Sequence, residues 1–165
     1  MALLYTLSKI INCLTTEFIM THIIHSPATY VKDTQTAKGK GVYAAKDYKI
    51  GDIIETAPVI VLLAPYATLP PRLKTRVFNW GDLTQSETPS SALALGFGSL
   101  YNHANPASIS FNADVENQAM IYTAAQDIYK DQELTINYNG PDGHFCSEQD
   151  DWFARNNVIL ETPDT

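Results

Sequence analysis

The fold is decided by the stretch Leu100-Tyr101-Asn102-His103, together with the later run Glu133-Leu134-Thr135-Ile136-Asn137-Tyr138. The first stretch is an Asn-His pair at the end of a small, Gly-rich apolar run. The second has an extended pattern that ends in a tyrosine and breaks at Gly140-Pro141. A third piece lies upstream, the Gly-x-Gly turn of Lys38-Gly39-Lys40-Gly41-Val42-Tyr43-Ala44. Each piece alone is typical of ordinary turns and strand ends, but their order and spacing indicate one shared site.

Short strands and turns alternate on both sides of the Asn-His pair. Strands are predicted at residues 41–45, 53–57 and 59–63 before it, and at 109–113, 119–124 and 133–138 after it. Turns are predicted at 47–52 and 127–132, and a polar loop at 31–41. This regular spacing indicates an all-β core with little helix.

Two regions depart from the strand pattern. Residues 64–91 hold Pro65, Pro70, Pro71 and Pro89, which favours an insert of short helical or loop pieces. In the tail, Ser147 and Asp150 come near the capping-box pattern. They predict a helix whose apolar side carries Trp152, Phe153 and Val158.

At 165 residues the chain is most simply one domain, here divided into an extension at 1–27, the main domain at 28–140 and a tail at 141–165. The extension has a helical apolar stripe that predicts a helix packed on the domain or on a partner. Met20 could instead be an alternative start. The stripe is too short and too interrupted to span a bilayer, and it lacks the basic start of a secretory signal.

The chain is acidic, with a formal net charge of -7 and a pI of about 4.9. This argues against nucleic-acid binding and favours a basic protein partner, although the charge could serve solubility alone. Cys13 and Cys146 are far apart, which argues against a disulfide framework and a zinc site, so no metal is expected. Reduced thiols favour a cytoplasmic protein and leave a nuclear or host-directed location open. No membrane association is expected, and the oligomeric state is not determined.

Taken together, the three motifs resemble those of the SET-domain protein lysine methyltransferases. The resemblance runs from about residue 36 to 140, with a divergent insert at 64–91. It implies a mainly β, β-clip-like fold of short curved sheets around a knot-like active site, with a helical insert. The C-terminal helix would cover the cofactor site. The resemblance also implies S-adenosylmethionine as cofactor and a histone-like or other lysine-bearing protein as substrate.

Residue by residue, the resemblance implies a catalytic role for Tyr138. Cofactor contacts are expected from Lys40, Gly41, Tyr43, Asn102, His103, Tyr138, and an aromatic lid of Phe145 or Trp152. A substrate channel is expected at Tyr101, Tyr122 and Ile136. Methyl transfer needs a neutral amine, whereas free lysine has a pKa of about 10.4, so such a channel must exclude water.

The sequence departs from the family pattern at three places. Ala104 stands where the family usually has Ser, Asn105-Pro106 shortens the following turn, and Asp131 replaces a common Gly. The cysteine-rich flanking segments of many members are missing. These departures leave a second interpretation open, a non-catalytic SET-like module that binds a protein or peptide. A third is a β-rich ligand binder unrelated to SET proteins.

Overall fold

The computed structural model describes residues 27–143 and 145–159. The helix expected in the N-terminal extension lies outside the described residues. The strands are β1 Thr29–Asp33, β2 Lys40–Ala44, β3 Ile53–Leu62, β4 Val77–Asn79, β5 Ser91–Ala94, β6 Asn102–His103, β7 Ile109–Asp114, β8 Ala119–Ala124 and β9 Glu133–Ile136. The helices are a 3-10 turn at Tyr66–Thr68, α1 Pro71–Lys74, α2 Trp80–Thr84 and α3 Trp152–Arg155. The all-β core with little helix is therefore confirmed.

A five-stranded antiparallel sheet, in the order β4-β5-β3-β8-β7, forms one half of the domain. Its long central strand is β3, which runs through Pro58 without interruption. Two separate strands were predicted here, and that prediction is wrong. Proline has no N–H to give, yet Pro58 still contributes its carbonyl, which accepts from the Leu95 N–H at 2.8 Å. The bond keeps the strand paired at this position.

A four-stranded sheet, in the order β1-β2-β9-β6, forms the other half. Strand β1 lies partly in the segment predicted as a polar loop. The Asn-His pair, which alone is typical of a turn, forms the short strand β6. This strand runs parallel to β9 and places Asn102 opposite Thr135 and His103 opposite Ile136. Parallel strands need a long connection, which here contains β7 and β8. The pairing of β6 with β9 joins the Asn-His motif to the run that ends in Tyr138.

The insert contains the predicted helical pieces and, in addition, strand β4. Helix α2 is capped by the Asn79 side chain, which accepts from the Asp82 N–H. The predicted cap of the C-terminal helix is wrong in position. Helix α3 starts after Asp151 without a side-chain capping bond and is a single turn long. Because so short a helix is unstable alone, packing must hold it in place.

The core lies between the two sheets and is rich in aromatic side chains. Tyr101 and Tyr122 are fully buried, with ring centroids 4.9 Å apart, and Phe111 and Phe78 pack beside them. Each large apolar side chain buried here contributes roughly 1.5–3 kcal/mol. This core supports the backs of β6 and β9, the strands that carry the Asn-His and tyrosine motifs.

Candidate functional site

Two neighbouring cavities flank the end of β9. The larger has a volume of about 610 Å³ and lies between the insert and the C-terminal tail. The smaller, of about 380 Å³, lies beside β6. Both are lined by Thr75, Arg76 and Tyr138. The two cavities therefore meet at the tyrosine that ends the last motif.

The smaller cavity combines polar, cationic and aromatic groups. Asn102 and His103 form its floor, and Phe153 and Tyr138 add aromatic faces. Its other lining residues are Ala37, Lys38, Arg72, Thr75, Arg76, Val158 and Ile159. Three of these carry positive charge, so the cavity suits a ligand with an anionic group and a flat apolar part.

The Asn102 amide is fixed by its two donor bonds. Its Nδ2 donates to the Lys40 carbonyl at 3.1 Å and to Glu133 Oε1 at 2.8 Å. Both partners are acceptors only, so the amide orientation follows from chemistry. The Asn102 Oδ1 is then the atom left to accept a hydrogen bond from a ligand. Gly41 packs against this arrangement, since a Cβ there would lie 2.5 Å from Glu133 Oε1.

His103 links three segments of the chain. Its Nδ1 accepts from the Tyr138 backbone N–H at 3.0 Å, which places the ring proton on Nε2. Nε2 then donates to Asp150 Oδ1 at 2.9 Å. The Asn139 amide also donates to Asp150. The bond from Asn139 has the larger effect and the bond from His103 a smaller one, and together they hold the pKa of the Asp150 carboxyl below its usual range. Lys38 Nζ donates to the His103 carbonyl at 3.0 Å.

Tyr138 stands at the junction with its hydroxyl turned inward. The hydroxyl donates to the Tyr101 carbonyl at 2.9 Å. Its ring packs against His103, Phe153 and Trp152, the last with an edge contact at 4.8 Å between centroids. Burial raises the pKa of Tyr138 to about 12, against a lowering effect from the Arg76 guanidinium. The hydroxyl is therefore neutral at physiological pH.

The larger cavity has an apolar, largely aromatic wall. Tyr101, Ile136, Phe78, Phe111 and Trp152 form this wall. Polar and charged groups also line the cavity, among them Lys74, Arg76, Asn79, Asp82, Asn139, Arg155, Asn156 and Asn157. A long side chain with an apolar stem can be accommodated here, with its end group beside Tyr138.

Most of the sequence-predicted site residues line one of the two cavities. Asn102, His103 and Tyr138 line the smaller cavity, and Tyr101 and Ile136 line the larger one. Lys40 and Gly41 support Asn102 from behind through the contacts described above.

Four predicted residues lie elsewhere than expected. Trp152 was expected on the cofactor side but lines the larger cavity, because the short α3 helix turns Phe153 toward His103 instead. Tyr43 stacks on Tyr30 at 5.8 Å with Lys32 Nζ 4.0 Å above its ring, outside both cavities. Phe145 is exposed and lines neither of the two. Tyr122 is fully buried behind Tyr101 and donates to the Gly98 carbonyl at 3.0 Å.

Sequence reasoning missed several residues of the site. Phe153 was assigned to packing, and the cations Lys38, Arg72 and Arg76 were assigned no role. Arg72 and Arg76 lie in the divergent insert, where no motif marked them. Arg72 lies on α1 and Arg76 lies beyond its end, so no helical spacing in the sequence marks the two as a pair.

Comparisons with known proteins identify the family of this chain. A family profile described as the SET domain matches residues 39–139. A curated relative from Schizosaccharomyces pombe is 28% identical over 123 residues, covering 70% of this chain and 76% of the relative. It is described as a histone-lysine N-methyltransferase specific for lysine 37 of histone H3.

Solved structures give the same result. A Plasmodium falciparum protein assigned as a histone methyltransferase is 25% identical, with a TM-score of 0.53 over 69% of this chain and 95% of that chain. The polycomb repressive complex 2 of Chaetomium thermophilum matches at 19% identity and a TM-score of 0.52. It covers 72% of this chain and 16% of that one, and at this identity it supports the fold alone.

The chain belongs to the SET-domain family. The predicted fold class, of short curved sheets in a mainly β domain, is therefore confirmed. The enzyme class is confirmed as well: the chain is a protein-lysine N-methyltransferase, which transfers methyl groups to the side-chain amine of lysine.

In the described part of the chain, no helix is long and apolar enough to cross a membrane. Within the same residues, no group of three or more His, Cys, Asp or Glu side chains could hold a metal ion.

Proposed function

We propose that the smaller cavity binds S-adenosylmethionine and that the larger cavity admits a lysine side chain from a basic protein. The observation that supports this most directly is the shared wall. Two cavities of different chemistry meet at the buried face of Tyr138, where a methyl group could pass between them. Positioning two reactants in line in this way can lower a barrier by about 7–11 kcal/mol.

The residues of the smaller cavity fit the cofactor. Asn102 Oδ1 suits the ammonium group of its methionine part, and the cations Lys38 and Arg76 suit the carboxylate. The Phe153 ring offers an apolar face for adenine, and such contacts add roughly 0.5–1.5 kcal/mol beyond burial. When bound, S-adenosylmethionine supplies a methyl group on a positively charged sulfur, which a neutral amine can accept.

The larger cavity favours the neutral form of the lysine amine. A lysine enters as an ammonium, and the apolar walls of Tyr101, Phe78 and Ile136 exclude water around it. Desolvation disfavours the charged form, so the ammonium releases its proton to bulk water more readily and becomes the neutral nucleophile. The Tyr138 hydroxyl donates its hydrogen bond to the Tyr101 carbonyl, so its oxygen can accept an N–H of the amine. This contact orients the nitrogen lone pair toward the smaller cavity.

The substrate class follows from charge and from the relatives. The chain carries a net charge of -7, which attracts a basic protein at long range. The S. pombe relative is described as acting on histone H3. A histone-like protein therefore fits both observations.

The test is transfer of labelled methyl from S-adenosylmethionine to a panel of basic proteins, with calorimetry of cofactor binding. Tyr138→Phe should bind the cofactor normally while kcat falls by about 10²-fold, as for a lost positioning contact. Asn102→Ala should instead weaken cofactor binding by about 1–3 kcal/mol.

Two outcomes would contradict the proposal. Cofactor binding without methyl transfer to any protein of the panel would favour a module that only binds. Full activity in Tyr138→Phe would mean that another residue, with Tyr101 the next candidate, positions the amine.

A further inference from the structure

A buried carboxylate lies behind the larger cavity without lining it. Glu55, on β3, is 3% exposed. Its Oε2 accepts from the Tyr101 hydroxyl at 2.7 Å, and its Oε1 accepts from the Phe97 N–H at 2.9 Å. Burial raises the pKa of Glu55, and these two neutral donors act in the opposite direction. Packing alone gives no reason for a carboxylate here, since burying such a group is costly.

Tyr101 is held at both ends. Its hydroxyl is fixed by Glu55, its ring packs on Tyr122, and it is 1% exposed. At its backbone end, its carbonyl accepts from the Tyr138 hydroxyl at 2.9 Å. A bond to a carboxylate is about twice as strong as a bond between neutral groups, so Glu55 fixes the position of the whole Tyr101 residue.

The direction of the Tyr138 hydroxyl depends on that carbonyl. A tyrosine hydroxyl has one proton to donate and lone pairs with which to accept. With the proton directed at Tyr101, the lone pairs are available to an amine in the larger cavity. If the Tyr101 carbonyl shifted, the hydroxyl proton could turn toward the amine and compete for its lone pair.

We propose, on the basis of the proposed function, that Glu55 is a positioning residue for methyl transfer. It acts through the side chain of Tyr101 and the carbonyl of Tyr101 on the hydroxyl of Tyr138. Glu55 itself lines neither cavity.

A double-mutant cycle tests this proposal. Glu55→Gln keeps the side-chain shape and removes the charge. It should lower kcat about 10-fold while the Kd for S-adenosylmethionine changes less than about 2-fold. In a Tyr138→Phe background, the same change should lower kcat by less than about 2-fold, because the hydroxyl on which it acts is gone.

Tyr101→Phe is the second variant, and it should show the same dependence on Tyr138. The matched control is Tyr48→Phe, which removes a buried hydroxyl that donates to the Ala28 carbonyl at 3.1 Å, away from both cavities. This control should leave kcat per folded molecule unchanged.

Equal losses of kcat from Glu55→Gln in both backgrounds would overturn the proposal, as would full kcat per folded molecule in Glu55→Gln or Tyr101→Phe. Methyl transfer by the unaltered chain is measured in the same assay and tests the proposed function separately.

Discussion

At the scale of single residues, the two glycines of the Gly39-Lys40-Gly41 turn are required for different reasons. Gly39 has a φ of +70° and open space around it, so a side chain there is strained but not blocked. Gly41 has no such strain, but a Cβ would lie 2.5 Å from Glu133 Oε1 and 2.9 Å from Thr34 Cγ2. Gly41 therefore allows Glu133 to reach Asn102.

We expect Gly41→Ala to displace Glu133 and loosen Asn102, so that the Kd for S-adenosylmethionine rises about 10-fold, the equivalent of ~1.4 kcal/mol. Gly39→Ala is the matched control and should lower stability by about 1 kcal/mol through strain with little change in that Kd. Calorimetry and thermal melts measure both. Equal effects of the two substitutions on cofactor affinity would contradict this account.

Ile136 bears on how many methyl groups the site accepts. It lines the larger cavity two residues before Tyr138. Its aliphatic side chain offers no hydroxyl to hold a water and leaves the channel apolar. We expect the enzyme to proceed beyond monomethyl-lysine, as checked by mass spectrometry of the product over time. Ile136→Phe fills more of the channel and should shift the product toward monomethyl-lysine. A solely monomethyl product from the unaltered enzyme would refute the prediction.

At the scale of elements, the C-terminal tail is attached to β6 and β9 by side chains. Asn105 Oδ1 accepts from the Ser147 N–H at 2.9 Å, and Asn137 Nδ2 donates to Ser147 Oγ at 2.9 Å. Asp150 receives bonds from His103 and Asn139. These contacts hold the short α3 helix, and with it Phe153 and Trp152, at the two cavities.

The Asp150 contacts should make the attachment depend on pH. The folded-state pKa of Asp150 is lowered, so its stabilising effect is present above the unfolded pKa of about 3.9 and is lost as the pH falls through the folded pKa. Since the side chain is half exposed, screening keeps the effect small. We expect Asp150→Ala to lower Tm by about 1–3 °C at pH 7.

The Tm difference should shrink as the pH falls below about 3.9 and disappear below the lowered folded-state pKa of Asp150. Glu116→Ala, in the exposed turn between β7 and β8, removes the same charge without these bonds and serves as control. If the Asp150→Ala difference stayed constant from pH 7 to acid pH, the carboxylate would not be its cause.

At the scale of the whole molecule, the net charge of -7 should govern encounter with the substrate. Long-range attraction is screened over about 10 Å at 0.1 M ionic strength. We expect kcat/KM for a basic protein substrate to fall several-fold, about 3- to 10-fold, between low and moderate salt. A lysine peptide without excess charge is the control and should show a nearly flat profile. An equally flat profile for the basic protein would remove the electrostatic argument.

Much of the architecture was predictable because it depends on local patterns. Alternating short strands and turns indicated the β core, and Asn102, His103 and Tyr138 were identified from the order of three motifs. In the structure these three residues line the smaller cavity together. The continuous strand β3 was not predicted, because Pro58 is read locally as a break although its carbonyl still pairs.

The family, the reaction class and the positions of Asn102, His103 and Tyr138 in the site were predictable from the sequence, because ordered local motifs mark them. Only the tertiary structure decided that Phe153 rather than Trp152 faces the smaller cavity, because packing of a one-turn helix sets that direction. Only the tertiary structure placed Arg76, from a divergent insert, beside Tyr138.

The burial of Glu55 also depends on the tertiary structure. The register shift between Ile53 and Glu55 breaks the strand alternation, so that Ile54 and Glu55 are both buried. Such a shift depends on pairing with β8, which lies more than sixty residues away in the chain.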